Sequence, residues 1–387
     1  MMQSEFNRKI EKIAVSDIRQ FDTDVNQIPG IIKLTLGEPD FNTPEHIKSA
    51  AIKAIEKNKS HYTPNAGIKE LRDATANYFN KKYNLNFNGT QVVTTVGATE
   101  AINASLQTIL NSGDTVIVPT PIFPIYLPVS EINHGDYALI DTSEDRFVLT
   151  PEKLERFIEN NSELNIKCLV LNYPSNPTGV TYSKEQLEAL AKIVEKYDMW
   201  ILSDEIYAEL TYNGAHTSMA EILPDRTILI SGLSKSHAMT GWRIGYILGP
   251  QKFIDQVVKA HQYMVTAPTS IAQYAALEAM ENGFEDAAVM KEEYKNRRDY
   301  MLKQLEDAGF KVASPDGAFY LFAKIPENCT QNSWDFVRDL AKKAKVAIIP
   351  GISFGPGGQG YVRISYAASI DVLKEAAKRI KEYMANK

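Results

Sequence analysis

The sequence predicts an α/β fold with a mostly parallel central sheet flanked by helices, together with a smaller α/β domain. Short β-rich runs bounded by turn residues alternate with helical patterns through the middle of the chain. From about Glu285 the pattern changes to a long charged helix followed by shorter strands. The length of 387 residues also favours two domains. We therefore expect a large domain at 46–284 and a small one built from 1–45 plus 285–387.

The strands of the large domain are predicted where apolar runs end in polar or glycine-rich turns. In chain order they are VVTTV (92–96), DTVIVP (114–119), KCLVLNYP (167–174), MWILSDE (199–205), TILISG (227–232) and IGYILG (244–249). Helices are predicted from Thr99 to about Leu110 and from about Ser183 to Tyr197. Because IGYILG follows TILISG with almost no space for a crossover helix, the sheet is predicted to be mixed at that point.

The small domain is predicted from a second series of elements near the end of the chain. A long charged helix (285–309) leads into FKVASPDGAFYLFAKI, a helix near 333–344, VAII, YVRISYA and a final amphipathic helix. The N-terminal segment is expected to pack beside these elements.

Composition excludes several classes of function. The formal net charge is −6 and no long basic run occurs, so nucleic acid is not an expected partner. No apolar run is long enough for a membrane span, and the N-terminus has no apolar segment of a signal peptide. Cys168 and Cys329 are far apart and form no CxxC pair, which fits a reducing compartment. We expect a cytoplasmic protein.

Two other kinds of site are also excluded by spacing. GPGGQG (355–360) matches the dinucleotide-binding pattern G-x-G-x-x-G, but it precedes a strand near the end of the chain instead of opening a helix after one. A dinucleotide-binding site is therefore not expected. The six histidines show no H-E-x-x-H or similar spacing, so no metal site is expected.

Candidate ligand groups gather around the predicted strand ends. VTTVGATEAI (93–102) is a strand, a glycine turn and a helix start, whose free N–H groups suit an anion. Asp204 ends an apolar strand, at the edge of the sheet where ligands bind in open α/β folds. NYPSNPTG (172–179) holds Asn176 in a rigid turn. Each has an ordinary alternative: a βα turn capped by Thr99, a solvated acid, and a plain connecting turn.

Lys235 lies in SGLSKSHAMTGWRIG (231–245), between Ser234 and the Arg243 eight places later. Alone, it would be interpreted as a solvated surface lysine. With the other features, the set calls for a ligand that has a phosphate, a cationic ring nitrogen and a group that reacts with an amine. Pyridoxal 5′-phosphate (PLP) has all three. Nearby Arg243 would help to keep some of the Lys235 amine neutral and nucleophilic.

Over nearly its whole length the chain resembles the fold-type-I, class I/II aminotransferases, which use PLP. The matching stretches, in family order, are LGEPDF (36–41), YTPNAG (62–67), VGATEA (96–101), NYPSNPTG, SDEIY (203–207), SKSHAMTGWRIG (234–245) and YVRISYA (361–367). Within that family it most resembles the N-acetyl-diaminopimelate aminotransferases of lysine biosynthesis. Several stretches are also near-identical in aspartate, aromatic and alanine aminotransferases.

The resemblance implies roles at the reacting end of the cofactor. Lys235 would form the Schiff base with PLP and shuttle the proton. Asp204 would pair with the ring nitrogen, Asn176 and Tyr207 would hydrogen-bond the phenolic oxygen, and Phe123 would stack on the ring. Lys235, Asp204 and Tyr207 are thus the expected catalytic residues.

It also implies how the phosphate and the substrate are held. The Ala98 and Thr99 backbone, Ser234 and Arg243 would bind the phosphate, and Tyr62 would reach it from the neighbouring subunit of a homodimer with shared active sites. Arg363 would clamp the substrate α-carboxylate, with Gly37 and Asn176 beside it. Many relatives have a hydroxyl residue three places before the lysine, where this chain has Gly232.

The substrates implied are L-glutamate and a 2-oxo acid, with N-acetyl-2-amino-6-oxopimelate and N-acetyl-LL-2,6-diaminopimelate as the physiological pair. Aspartate, aromatic or alanine transamination and a PLP-dependent C–S β-lyase remain alternatives. A cofactor-binding regulator would need a DNA-binding domain before the core, for which about thirty residues leave no space.

Overall fold

The computed structural model describes residues 6–387; residues 1–5, which the small domain was predicted to include, lie outside the described residues. The strands are β1 (Ile32–Lys33), β2 (Val92–Thr95), β3 (Asp114–Thr120), β4 (Asp136–Asp141), β5 (Asn165–Asn172), β6 (Trp200–Asp204), β7 (Thr227–Gly232), β8 (Gly245–Leu248), β9 (Lys311–Val312), β10 (Tyr320–Lys324), β11 (Val346–Ala347), β12 (Ile349–Pro350) and β13 (Tyr361–Ser365).

The helices alternate with these strands through most of the chain. They are α1 (Arg8–Lys12), α2 (Asp17–Val25), α3 (Glu45–Glu56), α4 (Lys69–Tyr83), α5 (Gly97–Ile109), α6 (Tyr126–Ile132), α7 (Pro151–Asn160), α8 (Lys184–Lys196), α9 (Met219–Ile222), α10 (Leu233–Ser236), α11 (Gln251–Val265), α12 (Ser270–Asn282), α13 (Asp286–Asp307), α14 (Ser333–Ala344) and α15 (Ile370–Met384). Within residues 6–387, none is both long and apolar enough to cross a membrane.

Seven strands form the central sheet, in the order β2-β8-β7-β6-β5-β3-β4. The strands from β7 to β4 pair in parallel, whereas β8 is antiparallel to both of its neighbours. The mixed sheet predicted at β8 is therefore confirmed. Strand β4 was not predicted, because its sequence DYALID is half exposed at the sheet edge and lacks a continuous apolar run.

The central sheet is covered by helices on both faces, because its strands are apolar on both sides. Val170 and Leu202 pack with residues of α5, α6 and α11 on one face. Leu169 and Ile201 pack with residues of α7 and α8 on the other. This is the burial expected for near-continuous apolar runs in a parallel sheet.

A separate four-stranded antiparallel sheet has the order β12-β13-β10-β9. The predicted strand VAII is two short strands, of which β11 pairs in parallel with β1 and β12 pairs with β13. Residues of α13, α14 and α15 share one apolar core with this sheet. The domain limits at 45/46 and 284/285 stay a prediction.

Candidate active site

Most of the residues expected to carry chemistry lie where β2, β5, β6 and β7 end, whereas Arg363 lies within β13. Strand β7 ends at Gly232 and leads directly into α10, a single turn that carries Ser234 and Lys235. A Cβ on Gly232 would lie 2.7 Å from the Ile244 carbonyl oxygen. That distance is shorter than real Cβ contacts, so the close approach of residues 244 and 245 leaves no space for a side chain at residue 232.

Lys235 is partly exposed in the structure. Its Nζ donates a hydrogen bond of 2.5 Å to the Gly37 carbonyl oxygen. Burial lowers the pKa of Lys235 to about 8; Glu38 opposes this shift, and Arg243 and Arg363 add to it. About a tenth of the amine is therefore neutral, and nucleophilic, at pH 7, far more than for an ordinary lysine.

Asp204 ends β6 with its carboxylate buried beside the cleft. Its Oδ2 accepts a hydrogen bond from the Tyr126 hydroxyl at 2.6 Å, and its Oδ1 accepts one from the Ile206 N–H at 3.2 Å. Burial raises the pKa of Asp204 to about 6, although these two hydrogen bonds act in the opposite direction. A buried carboxylate of this kind would be stabilised by a cationic ligand group.

The start of α5 forms an anion site together with Arg243. A Cβ on Gly97, which has φ +76°, would lie 2.9 Å from the central guanidinium carbon of Arg243. The side chain therefore lies against the helix N-terminus. Within residues 6–387, the N–H groups of Ala98 and Thr99 have no hydrogen-bond acceptor. Free N–H groups, a helix dipole and a guanidinium together suit a phosphate.

The start of α5 corrects two expectations about Thr99. The helix begins at Gly97, two residues earlier than predicted, so Thr99 lies within the first turn. The capping position is occupied by Val96, which has no side-chain hydrogen bond to the helix. The alternative of an ordinary turn capped by Thr99 is therefore wrong, and the N–H groups stay available because no side chain caps them.

Arg363 and Asn176 are brought together by β13 and by the turn after β5. The Arg363 Nη1 donates to Asn176 Oδ1 at 2.9 Å, and Nη2 donates to the Thr35 carbonyl oxygen at 2.5 Å. The guanidinium is buried over the rings of Tyr320 and Phe354, at 4.5 and 4.9 Å. Among the described residues its Nε has no partner. A buried arginine with an unused donor suits a carboxylate ligand.

Ser234, Phe123 and Tyr62, the other predicted site residues, differ widely in burial. Ser234 is buried and directly precedes Lys235. Phe123 follows β3 and is 37% exposed. Tyr62 is 95% exposed, as a residue that serves a neighbouring subunit would be. Their contacts with a cofactor stay a prediction.

Sequence reasoning missed two tyrosines, Tyr126 and Tyr320. The Tyr320 hydroxyl lies 2.8 Å from the Tyr207 hydroxyl, and a Cβ on Gly37 would overlap with it. Tyr320 therefore connects Tyr207, Gly37 and Arg363. Only the pairing of β10 with β13 reveals this arrangement. The segment PTPIFPIY contained the signal for Tyr126, but only Phe123 was singled out there.

Comparison with known proteins places this geometry in a family. The family described as aminotransferase class I and II matches residues 29–380. A probable N-acetyl-LL-diaminopimelate aminotransferase of Bacillus subtilis is 46% identical, over all of this chain and 97% of its own length. Aromatic-amino-acid aminotransferase 2 of Thermococcus litoralis is 37% identical over 98% of both chains. The structure of Thermus thermophilus aspartate aminotransferase with maleate has a TM-score of 0.92 at 36% identity, covering 98% of this chain and 100% of its own.

Proposed function

The chain belongs to the class I and II aminotransferases, and on that premise we propose that it transfers an amino group between L-glutamate and N-acetyl-2-amino-6-oxopimelate. The product would be N-acetyl-LL-2,6-diaminopimelate, an intermediate of lysine biosynthesis. The observation that carries the reaction type is the proximity of Lys235 to Asp204 and Arg363, whose charges both act on the pKa of its amine. The observation that favours this substrate is the 46% identity with the B. subtilis relative over the whole chain.

The cofactor of this family is PLP, and the chain offers a partner for each of its polar groups. The free N–H groups of Ala98 and Thr99 and the Arg243 guanidinium suit its phosphate. The Asp204 carboxylate suits its ring nitrogen. The Lys235 amine suits its aldehyde. When bound, PLP supplies an electron-accepting ring that weakens the bonds at the substrate Cα.

The residues of the chain would bind the substrate and move its proton. Arg363 binds the α-carboxylate, using the Nε that has no hydrogen-bond partner within residues 6–387. Lys235 Nζ takes the proton from the substrate Cα, which a lysine with a pKa of about 8 can do near neutral pH. Asn176 and Tyr207 hydrogen-bond the phenolic oxygen. Tyr207 is oriented by the Tyr320 hydroxyl 2.8 Å away.

The working unit in this proposal is a cytoplasmic homodimer. The Tyr62 side chain is almost fully exposed, and it would contact the phosphate of the partner. Cys168 and Cys329 are both free, which fits a reducing compartment.

A second candidate substrate class is favoured by specific relatives. The aromatic-amino-acid aminotransferase of T. litoralis matches 98% of both chains, and the T. thermophilus structure is an aspartate aminotransferase with maleate. The alternative is therefore transamination of an aromatic amino acid or of aspartate by the same site residues.

The first experiment records the visible absorbance of the purified enzyme with PLP before and after L-glutamate, with Lys235→Ala as control. A cofactor band that disappears with glutamate and returns with 2-oxoglutarate supports glutamate as donor. No response to glutamate, with release of ammonia from a cystathionine-type substrate, would favour the lyase.

The second experiment compares kcat/KM for N-acetyl-LL-2,6-diaminopimelate, aspartate and tyrosine, each with 2-oxoglutarate as acceptor. A preference of about a hundredfold or more for the acetylated substrate is expected, equivalent to about 2.7 kcal/mol. A higher kcat/KM for aspartate or tyrosine would reject the proposed substrate but leave the reaction type intact.

A further inference from the structure

Tyr126 is a fully buried tyrosine whose hydroxyl points at the end of β6. It begins α6, three residues after Phe123, and its ring packs in the apolar core between the sheet and α5. Its hydroxyl donates to Asp204 Oδ2 at 2.6 Å. Burial first, and then the Asp204 charge, raise the pKa of Tyr126 well above its ordinary value. The hydroxyl therefore keeps its proton and acts as a donor.

Asp204 depends on this donor because little else stabilises its charge. Its other hydrogen bond, from the Ile206 N–H, is longer at 3.2 Å. The charged and titratable groups that act on the carboxylate are Tyr126, Tyr207 and Lys235, together with Glu205 from the other side of the sheet. Of these, Glu205 disfavours ionisation of Asp204, whereas Lys235 and the Tyr126 hydrogen bond favour it.

An ionised Asp204 is what a protonated ring nitrogen requires. A neutral carboxylic acid could not balance that positive charge in a buried site. Loss of the Tyr126 hydroxyl removes the shorter of two hydrogen bonds and leaves a buried carboxylate with one weak donor.

We propose that Tyr126 is a positioning residue that acts through Asp204: its hydroxyl keeps the Asp204 carboxylate ionised and oriented toward the ring nitrogen of PLP. The inference rests on the proposed role of Asp204. In this role Tyr126 contacts Asp204 and neither the substrate nor the cofactor.

The test is a double-mutant cycle on PLP affinity, with Tyr126→Phe and Asp204→Asn singly and together. The apoenzyme is titrated with PLP at several pH values. Tyr126→Phe is expected to weaken binding by about tenfold to a hundredfold, the range for a hydrogen bond to a charged group. In the Asp204→Asn background the same change is expected to have no further effect, because the residue through which it acts is gone.

The pH dependence provides a readout that a merely structural role would not move. Affinity for PLP falls as Asp204 becomes protonated, which in the parent happens as pH falls through about 6. Because Tyr126→Phe raises the pKa further, the acid limit of binding is expected to move upward by about one pH unit. Tyr246→Phe is the matched control, since Tyr246 is equally buried and makes no hydrogen bond to Asp204.

Each outcome separates this inference from the proposed role of Asp204. An unchanged acid limit in Tyr126→Phe, or losses that multiply in the double variant, would overturn the inference. If Asp204→Asn itself binds PLP as the parent does, the role of Asp204 fails first. Should Tyr126→Phe not fold, a fluorinated tyrosine incorporated at residue 126 keeps the ring and the hydroxyl but makes the hydroxyl a stronger donor to Asp204. The acid limit is then expected to move downward by a few tenths of a pH unit; an unchanged or higher limit contradicts the inference.

Discussion

Asp204 and Glu205 are consecutive buried carboxylates that differ in how many hydrogen bonds they accept from the rest of the chain. Asp204 faces the cleft and collects two hydrogen bonds. Glu205 faces the other side of the sheet, and its Oε1 accepts from four donors of the chain: Ser203 and Ser218 hydroxyls at 2.8 and 3.0 Å, and the Tyr173 hydroxyl and Met219 N–H, both at 3.1 Å. Its Oε2 lies 2.7 Å from His216 Nε2.

The difference indicates which buried polar groups await a ligand. A carboxylate saturated by its own chain fixes the packing around it, here of β5, β6 and α9. A group left short of partners has capacity for something from outside. The same holds for the N–H groups of Ala98 and Thr99 and for the Nε of Arg363, which lack partners within residues 6–387.

The largest expected effect is the loss of activity in Asp204→Asn. The amide cannot balance a protonated ring nitrogen, so kcat for transamination is expected to fall by about a thousandfold, or about 4 kcal/mol. The free energy of unfolding should not fall, because a buried charge is removed. Steady-state kinetics and urea unfolding measure the two quantities. A kcat within tenfold of the parent would mean that Asp204 is not the ligand-facing member of the pair.

Glu205→Gln should show the converse pattern, with a large loss of stability and a small one of activity. The amide oxygen can stay toward the four donors at Oε1, but the amide nitrogen would then replace Oε2 against His216 Nε2, at a cost of about 2 kcal/mol in the free energy of unfolding. Urea unfolding of the apoenzyme measures it, with Glu221→Gln, at an exposed pair with Lys184, as control. We expect kcat per folded enzyme to stay within about threefold. A normal stability with lost activity would reverse the comparison.

The sequence indicated the proposed ligand-binding groups more readily than the residues that contact them. Lys235, Asp204 and Asn176 lie in short motifs beside strand ends, where residue type and position already indicate chemistry. Tyr126 is 78 residues from Asp204, and Tyr320 is 113 from Tyr207. Such contacts are set by how helices and strands pack, which local pattern does not contain.

The same limit explains the errors in the fold. Continuous apolar runs predicted the inner strands, because burial on both faces leaves a strong pattern. The edge strand β4 is half exposed and has no such pattern. The start of α5 was placed late because Thr99 is a favoured capping residue, whereas the helix begins at Gly97 without a side-chain cap.

Arg363→Lys tests whether an unused buried donor marks a substrate contact. Lysine keeps the charge but cannot form the paired hydrogen bonds of a guanidinium with a carboxylate. We expect kcat/KM for the amino acid to fall about a hundredfold, or about 2.7 kcal/mol, while PLP affinity stays within about twofold. Arg379→Lys, at a surface pair with Glu375, is the control. Equal losses in PLP affinity and kcat/KM would place Arg363 at the cofactor instead.

The smallest effect on stability is expected at His46, which forms a partly buried polar cluster with Glu278 and Asp286. Its Nδ1 lies 3.0 Å from Glu278 Oε1 and its Nε2 lies 2.9 Å from Asp286 Oδ2, so it joins α3, α12 and α13. Burial alone would lower the pKa of His46, but the hydrogen bonds and charges of the two carboxylates outweigh it and raise the pKa above 6.5.

Because its pKa is raised in the folded state, protonated His46 stabilises the fold fully below pH 6.5, and this contribution is lost as pH rises through the folded-state pKa. His46→Gln should therefore lower the free energy of unfolding most at pH 6, by less than about 1 kcal/mol since the side chain is a third exposed. The difference from the parent should shrink by pH 9. Urea unfolding at both values measures it, with the exposed His61→Gln as control. A difference that grows with pH would mean that neutral His46 is the stabilising form. The cluster would then be held by hydrogen bonds, as the surroundings of Glu205 are, and not by ion pairs.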